Sequence, residues 1–167
     1  MPGHLRVDWN DYHRLIERLA RIVRDSGYQF DQILCLARGG LRIGDVFSRL
    51  FKVPLAILST SSYREAAGTQ QGELNIAHNM TSTAGPLAGR ILLMDDLADS
   101  GVTLQAVQSH LKQHFPAVTE VRSAVIWTKT CSVIRPDYCV EYLPDSPWIH
   151  QPFEMYDNMK PDELPGG

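Results

Sequence analysis

Apolar and polar positions along the chain alternate between two periods. Tyr12, Leu15, Ile16, Leu19, Ile22 and Val23 recur at i, i+3, i+4 spacing with Arg, Glu and Asp on the other face, which predicts a helix over 9–26 closed by Ser26 and Gly27. Residues 32–37 form instead an unbroken apolar run after Gln32, the pattern of a strand buried on both faces. A tight loop at Arg38-Gly39-Gly40, a helix over 41–51 and a strand over 54–59 follow. This is one βαβ unit, which requires a parallel pair and a right-handed crossover. A second buried run spans Ile91 to Met94, then a helix over 103–115 carries Leu104, Val107 and Leu111 until Pro116 stops it. Residues 121–127 and 137–143 read as two more strands.

Residues 60–89 break this rhythm. They are polar and without period apart from an expected edge strand over 73–80, and so read as either a functional loop or a bland surface connection. Past a turn at Pro144–Pro147, Trp148, Ile149, Pro152 and Phe153 make a small apolar cluster, and the Pro-, Gly- and charge-rich tail over 158–167 is expected to fray. The alternation of strand and helix predicts a single α/β domain over 1–167, with a mostly parallel central sheet flanked by helices.

Composition narrows the class only a little. The chain has 167 residues, 44% apolar and 21% charged, as expected for one globular domain with a real core. A net charge of -3 implies no general affinity for nucleic acid. No apolar run approaches the ~20 residues of a membrane span, and the first residues lack the apolar centre of a signal peptide. Cys35, Cys131 and Cys139 have no CxxC spacing, which points to thiols in a reducing cytoplasm rather than to disulfides or zinc.

Chemistry concentrates where the buried run over 91–94 ends. Asp95, Asp96 and Asp99 place three carboxylates within five residues, and Ser100, Gly101, Val102 and Thr103 open the next helix. A helix N-terminus with free N–H groups and two hydroxyls favours a phosphate. Paired acids at a strand end suit ribose hydroxyls or Mg²⁺, and Asp99 is placed to act as a general base. Arg38 and Gly39 offer a guanidinium and a glycine backbone to a second anion. In a parallel sheet both junctions face one crevice. Lys129, at the end of another predicted strand, could donate to a carbonyl oxygen. Trp148 and Ile149 could flank a flat heterocycle, against the plainer alternative of a packed core rim.

Residues 92–103 resemble the phosphoribosyl-pyrophosphate signature of type I phosphoribosyltransferases. Residues 37–41, 61–63, Lys129 and 148–154 resemble, in order, segments of bacterial xanthine-guanine phosphoribosyltransferases, so the likeness covers roughly residues 8–155. It implies a type I phosphoribosyltransferase-like fold with a small C-terminal hood. It also implies transfer of ribose 5-phosphate from phosphoribosyl pyrophosphate to a 6-oxopurine (guanine, xanthine or hypoxanthine), with Mg²⁺ as cofactor. Residues 99–103 would hold the 5′-phosphate, Asp95 and Asp96 the ribose hydroxyls, and Asp96 the metal. Arg38 and Gly39 would hold pyrophosphate through a peptide, often cis, at or beside Arg38. Asp99 would act on the purine N7 proton, Lys129 would bond the 6-oxo group, and Trp148 and Ile149 would meet the base. A mobile loop over about 62–78, starting at Ser62, Tyr63 and Arg64, would close over the site.

The sequence departs from the pattern at Ser100 (commonly Thr), at Val102 (commonly Gly or Lys) and at 69–72, where relatives carry a basic residue that Arg64 would have to replace. The resemblance further implies a homodimer or homotetramer. Two rival readings stand beside it: transfer to a different base, and a regulatory protein of this fold that senses phosphoribosyl pyrophosphate or a nucleotide without catalysis.

Overall fold

The computed structural model describes residues 3–64, 71–76 and 80–166. Its spine is a sheet in which β2 (Gln32–Ala37), β3 (Leu55–Arg64), β6 (Gly89–Met94), β8 (Val118–Lys129) and β9 (Tyr138–Leu143) run parallel, in the order β3-β2-β6-β8-β9. The continuous apolar runs are explained by the period-two pleat. Ile33, Cys35, Leu92, Met94, Ala124 and Ile126 face a core shared with α1 (Trp9–Ser26) and α2 (Leu41–Phe51). Their neighbours Leu34, Leu36, Ile91, Leu93 and Val125 face a second core built on Leu104, Val107 and Leu111 of α3 (Val102–His114). A sheet covered on both faces leaves only its strand ends for a ligand. The helix ends follow local chemistry: Asp8 Oδ1 accepts from Asp11 N at 2.8 Å at the start of α1, and Gly27, at φ 75°, closes it.

Four features depart from the sequence expectations. The strand expected over 54–59 continues to Arg64 and pairs antiparallel with β4 (Gln71–Ile76), the edge strand expected over 73–80. Pairing across such an edge uses backbone groups and needs no apolar period. Residues 65–70 and 77–79 of the expected loop lie outside the described residues. Two further pieces join the sheet, β5 (Thr81–Ser82) against β3 and β7 (Leu97–Ala98) against β8. Third, β8 begins at Val118, three residues before the apolar run, where Val118 and Glu120 pair with Gly89 and Arg90. Finally, β1 (His4–Arg6) and β10 (Trp148–His150) form a separate two-stranded parallel sheet, so the hood joins both ends of the chain. After it come 3₁₀ turns at Glu154–Asn158 and Pro161–Glu163. Among the described residues, no helix is long and apolar enough to cross a membrane.

Candidate functional site

The strand order reverses between β2 and β6: β2 passes through α2 to β3 on one side, while β6 lies on the other. Cys35 pairs with Met94, so Arg38-Gly39 and Asp95-Asp96 emerge side by side at the sheet's carboxyl edge. This is where an open α/β sheet takes its ligand. The peptide between Ala37 and Arg38 is cis, at the position expected from the resemblance. Arg38 is exposed.

The acids owe their placement to a break in strand pairing. Asp95 N donates to Ala124 O at 3.3 Å, then Asp96 O accepts from both Ile126 N (3.0 Å) and Trp127 N (3.2 Å), after which Leu97 resumes pairing with Trp127. Such a bulge re-aims the side chains it carries. The Asp95 carboxyl is held well above the ordinary carboxylate range, chiefly by burial and then by the charge and hydrogen bond of Asp96. Asp95 Oδ1 also accepts from Asp96 N at 2.9 Å. Asp96 Oδ2 accepts from Gln151 Nε2 at 2.6 Å.

The loop expected to take a phosphate runs from Asp99 into α3. Gly101, in the left-handed region at φ 79°, is the N-cap of α3 and makes no side-chain cap bond, so an anion can take the place of a cap at the first-turn amides. Val133 N donates to Ser100 O at 2.7 Å and Val102 N to Ser100 Oγ at 3.3 Å, fixing the turn. Val102 itself is exposed, with Thr103 half-buried behind it.

Lys129, at the end of β8, approaches Asp99 with Nζ 3.3 Å from Oδ2. The lysine side chain is 10% exposed and the aspartate 59%. A buried ammonium needs a partner, and here the partner reaches it from the crevice. Cys131 Sγ lies 3.7 Å from Asp99 Oδ1.

The hood residues divide. Trp148 is 62% exposed and free to meet a planar ligand, whereas Ile149, 7% exposed, belongs to the core with Val7 and Tyr12. Of the pair expected to flank a base, the Ile149 side chain is therefore used for packing, and only its backbone is left for a ligand. The structure thus brings Arg38, Gly39, Asp95, Asp96, residues 99–103 and Lys129 to one edge. The backbones of Ser62, Tyr63 and Arg64 extend β3, but their side chains lie outside the described residues.

Sequence reasoning missed Gln151. The available signal was a lone amide inside the apolar stretch from Trp148 to Phe153. Among the described residues, no group of three His, Cys, Asp or Glu side chains is arranged to hold a metal. The neighbouring carboxylates of Asp95 and Asp96 at the strand end fit Mg²⁺, which commonly takes one or two carboxylates and completes its shell with water and substrate oxygens.

Residues 8–158 match the phosphoribosyl transferase domain family. A human protein, phosphoribosyltransferase domain-containing protein 1, is 24% identical over 143 residues, covering 78% of this chain and 62% of its own, so the chain spans less than two thirds of that relative's length. Among solved structures, the purine phosphoribosyltransferase of Pyrococcus horikoshii superposes with a TM-score of 0.74 at 26% identity, covering 90% of this chain and 93% of that one. The xanthine-guanine-hypoxanthine phosphoribosyltransferase of Helicobacter pylori gives a TM-score of 0.75 at 24% identity over 93% of this chain and 96% of its own, a likeness of fold.

Proposed function

The chain belongs to the phosphoribosyl transferase domain family and has the type I fold, and from that premise we propose that it transfers ribose 5-phosphate from phosphoribosyl pyrophosphate to a 6-oxopurine. The observation that carries the acceptor class is the Lys129–Asp99 pair, Nζ to Oδ2 3.3 Å, beside the phosphate loop. An ammonium has three donors, so Lys129 can bond a 6-oxo oxygen while still holding Asp99. Asp99 then faces the neighbouring imidazole edge of the purine, where it takes the N7 proton. A 6-amino group, itself a donor, would meet the same ammonium unfavourably.

The remaining roles follow from charge. The amides and hydroxyls of residues 99–103 hold the 5′-phosphate. Asp95 and Asp96 take the ribose hydroxyls. As the bond from C1′ to pyrophosphate lengthens, C1′ gains positive charge and the leaving group negative charge. Arg38 stabilises the leaving group. Mg²⁺, held by Asp96 together with substrate oxygens, would supply further neutralisation of the pyrophosphate when bound. The ring of Trp148 covers the base.

The test is direct incubation with Mg²⁺, phosphoribosyl pyrophosphate and, separately, guanine, xanthine, hypoxanthine, adenine and orotate, reading nucleotide formation. Product from a 6-oxopurine, with far less from adenine, is expected. Product from orotate alone would move the protein to another base. Tight phosphoribosyl pyrophosphate binding with no product from any base would make it a sensor.

A further inference from the structure

Gln151 joins two parts of the site that the chain supplies from opposite directions. It is 9% exposed and directly follows β10. Its Nε2 donates to Asp96 Oδ2 at 2.6 Å across 55 residues of sequence. The amide orientation follows from chemistry, since an ionised carboxylate only accepts and the NH₂ must face it.

The segment carrying Gln151 is held on both sides. Val7 N donates to His150 O at 3.0 Å, Glu154 N to Gln151 O at 3.1 Å, and Ile149 pairs with Leu5 in the hood sheet. Below it, Phe153 packs edge-on to Tyr12 with centroids 5.8 Å apart and carries the Arg42 guanidinium 4.0 Å above its ring. One polar feature there is unspent. Gln151 Oε1 and the Tyr12 hydroxyl are both buried without a hydrogen-bond partner among the described residues. A buried amide with one half bound to Asp96 and the other half unsatisfied is a costly arrangement for packing alone.

We propose that Gln151 is a positioning residue that fixes the Asp96 carboxylate toward the ribose of the donor and ties it mechanically to the hood strand bearing Trp148. The proposal rests on the transferase reading for the identity of the sugar phosphate. Its physical content is that one carboxylate oxygen is committed to the hood, leaving the other oriented for ribose hydroxyls. Because β10 bears both Trp148 and the approach to Gln151, a displacement of the hood by a base would be felt at Asp96, and the reverse.

The test uses the full chain with Gln151→Met, which keeps the volume and removes both the donor and the unsatisfied oxygen, beside Gln151→Ala. Ribose 5-phosphate with Mg²⁺ is the probe, titrated calorimetrically without any base, so the readout does not depend on turnover. A lost charge-assisted bond should weaken binding about 10-fold in both variants, and raise KM for phosphoribosyl pyrophosphate while lowering kcat. Gln151→Met should keep the wild-type melting temperature within about 3 °C, the shift of roughly 1 kcal/mol in a chain of this size. Wild-type affinity in Gln151→Met together with a loss in Gln151→Ala would reduce Gln151 to packing and overturn the proposal, as would wild-type affinity in both. If the unaltered protein makes no nucleotide from any base, the transferase reading fails, yet ribose 5-phosphate binding still reports on Gln151.

Discussion

Gly39 lies so close to Asp96 that a Cβ on the glycine would stand 2.6 Å from the aspartate Cγ. The two strand-end junctions are thus packed against each other, and the absence of a side chain at 39 sets where the carboxylate can sit. Gly39→Ala should force Asp96 aside or shift the loop. Overpacking of this kind costs about 1–3 kcal/mol. Spent at the site, that corresponds to a loss of roughly 10- to 100-fold in kcat/KM for phosphoribosyl pyrophosphate. Steady-state kinetics together with a thermal melt separate the site from the fold. An unchanged KM would mean the contact is relieved at no cost to the site.

Asp99 and Lys129 are separable by substrate. Asp99 is the exposed member of its pair with the buried Lys129, at 59% against 10%, and an asparagine there keeps an oxygen to accept from the ammonium. Asp99→Asn should therefore melt like the parent and bind phosphoribosyl pyrophosphate nearly as well, while turnover falls by about 10²–10⁴, the usual contribution of a positioned base. Lys129→Ala should instead raise KM for 6-oxopurines and leave any activity on adenine little changed. Equal losses on both bases would remove Lys129 from recognition of the 6-oxo group, and full turnover in Asp99→Asn would remove the base.

What could be read in the sequence was what burial writes into it. The centres of β2 and β6 are apolar runs, since both sheet faces are covered; β2 was legible to the residue, whereas β6 starts two residues before its run, at Gly89 and Arg90. The turn from β6 into α3 was legible because its residues are contiguous. The hood was not. β1 and β10 are three residues each, paired across the whole chain, and His4, Arg6 and Trp148 are exposed, so no local period marks them. Trp148 and Ile149 looked alike in sequence, but they alternate across a strand, one exposed and one in the core. Gln151 and Asp96 meet only through the fold, and neither residue's neighbours announce the other.

Gly101 is a position where backbone conformation decides the residue. It sits at φ 79°, and a Cβ would meet Ile134 Cγ2 at 2.7 Å. Gly101→Ala combines left-handed strain with a clash, for about 1–3 kcal/mol or more. At roughly 2–4 °C per kcal/mol for a chain of this size, the melting temperature should drop by ~3–10 °C. Because Gly101 also starts α3, ribose 5-phosphate affinity should drop with it. A variant that melts like the parent would mean that Ser132 and Ile134 yield freely.

The three thiols should report on three environments. Cys35 is fully buried and its thiol is pushed up to about 12 by burial, and Cys139 is raised for the same reason. Cys131 is exposed and sits beside Asp99. A thiol-specific reagent at pH 8 should therefore modify Cys131 alone in the native protein, and saturating nucleoside monophosphate should slow that reaction by covering Asp99. Cys35 should react only on unfolding, because the thiolate is the reactive form. The same shift has a sign for stability. Between the ordinary thiol value of 9.0 and about 12, the unfolded chain releases the Cys35 proton while the native state keeps it. The native state then holds more protons, and its stability falls as pH rises through that window. Cys35→Ala should flatten this alkaline decline at some cost in packing. Rapid labelling of Cys35 in the folded protein, measured by mass spectrometry of peptides, would contradict its burial.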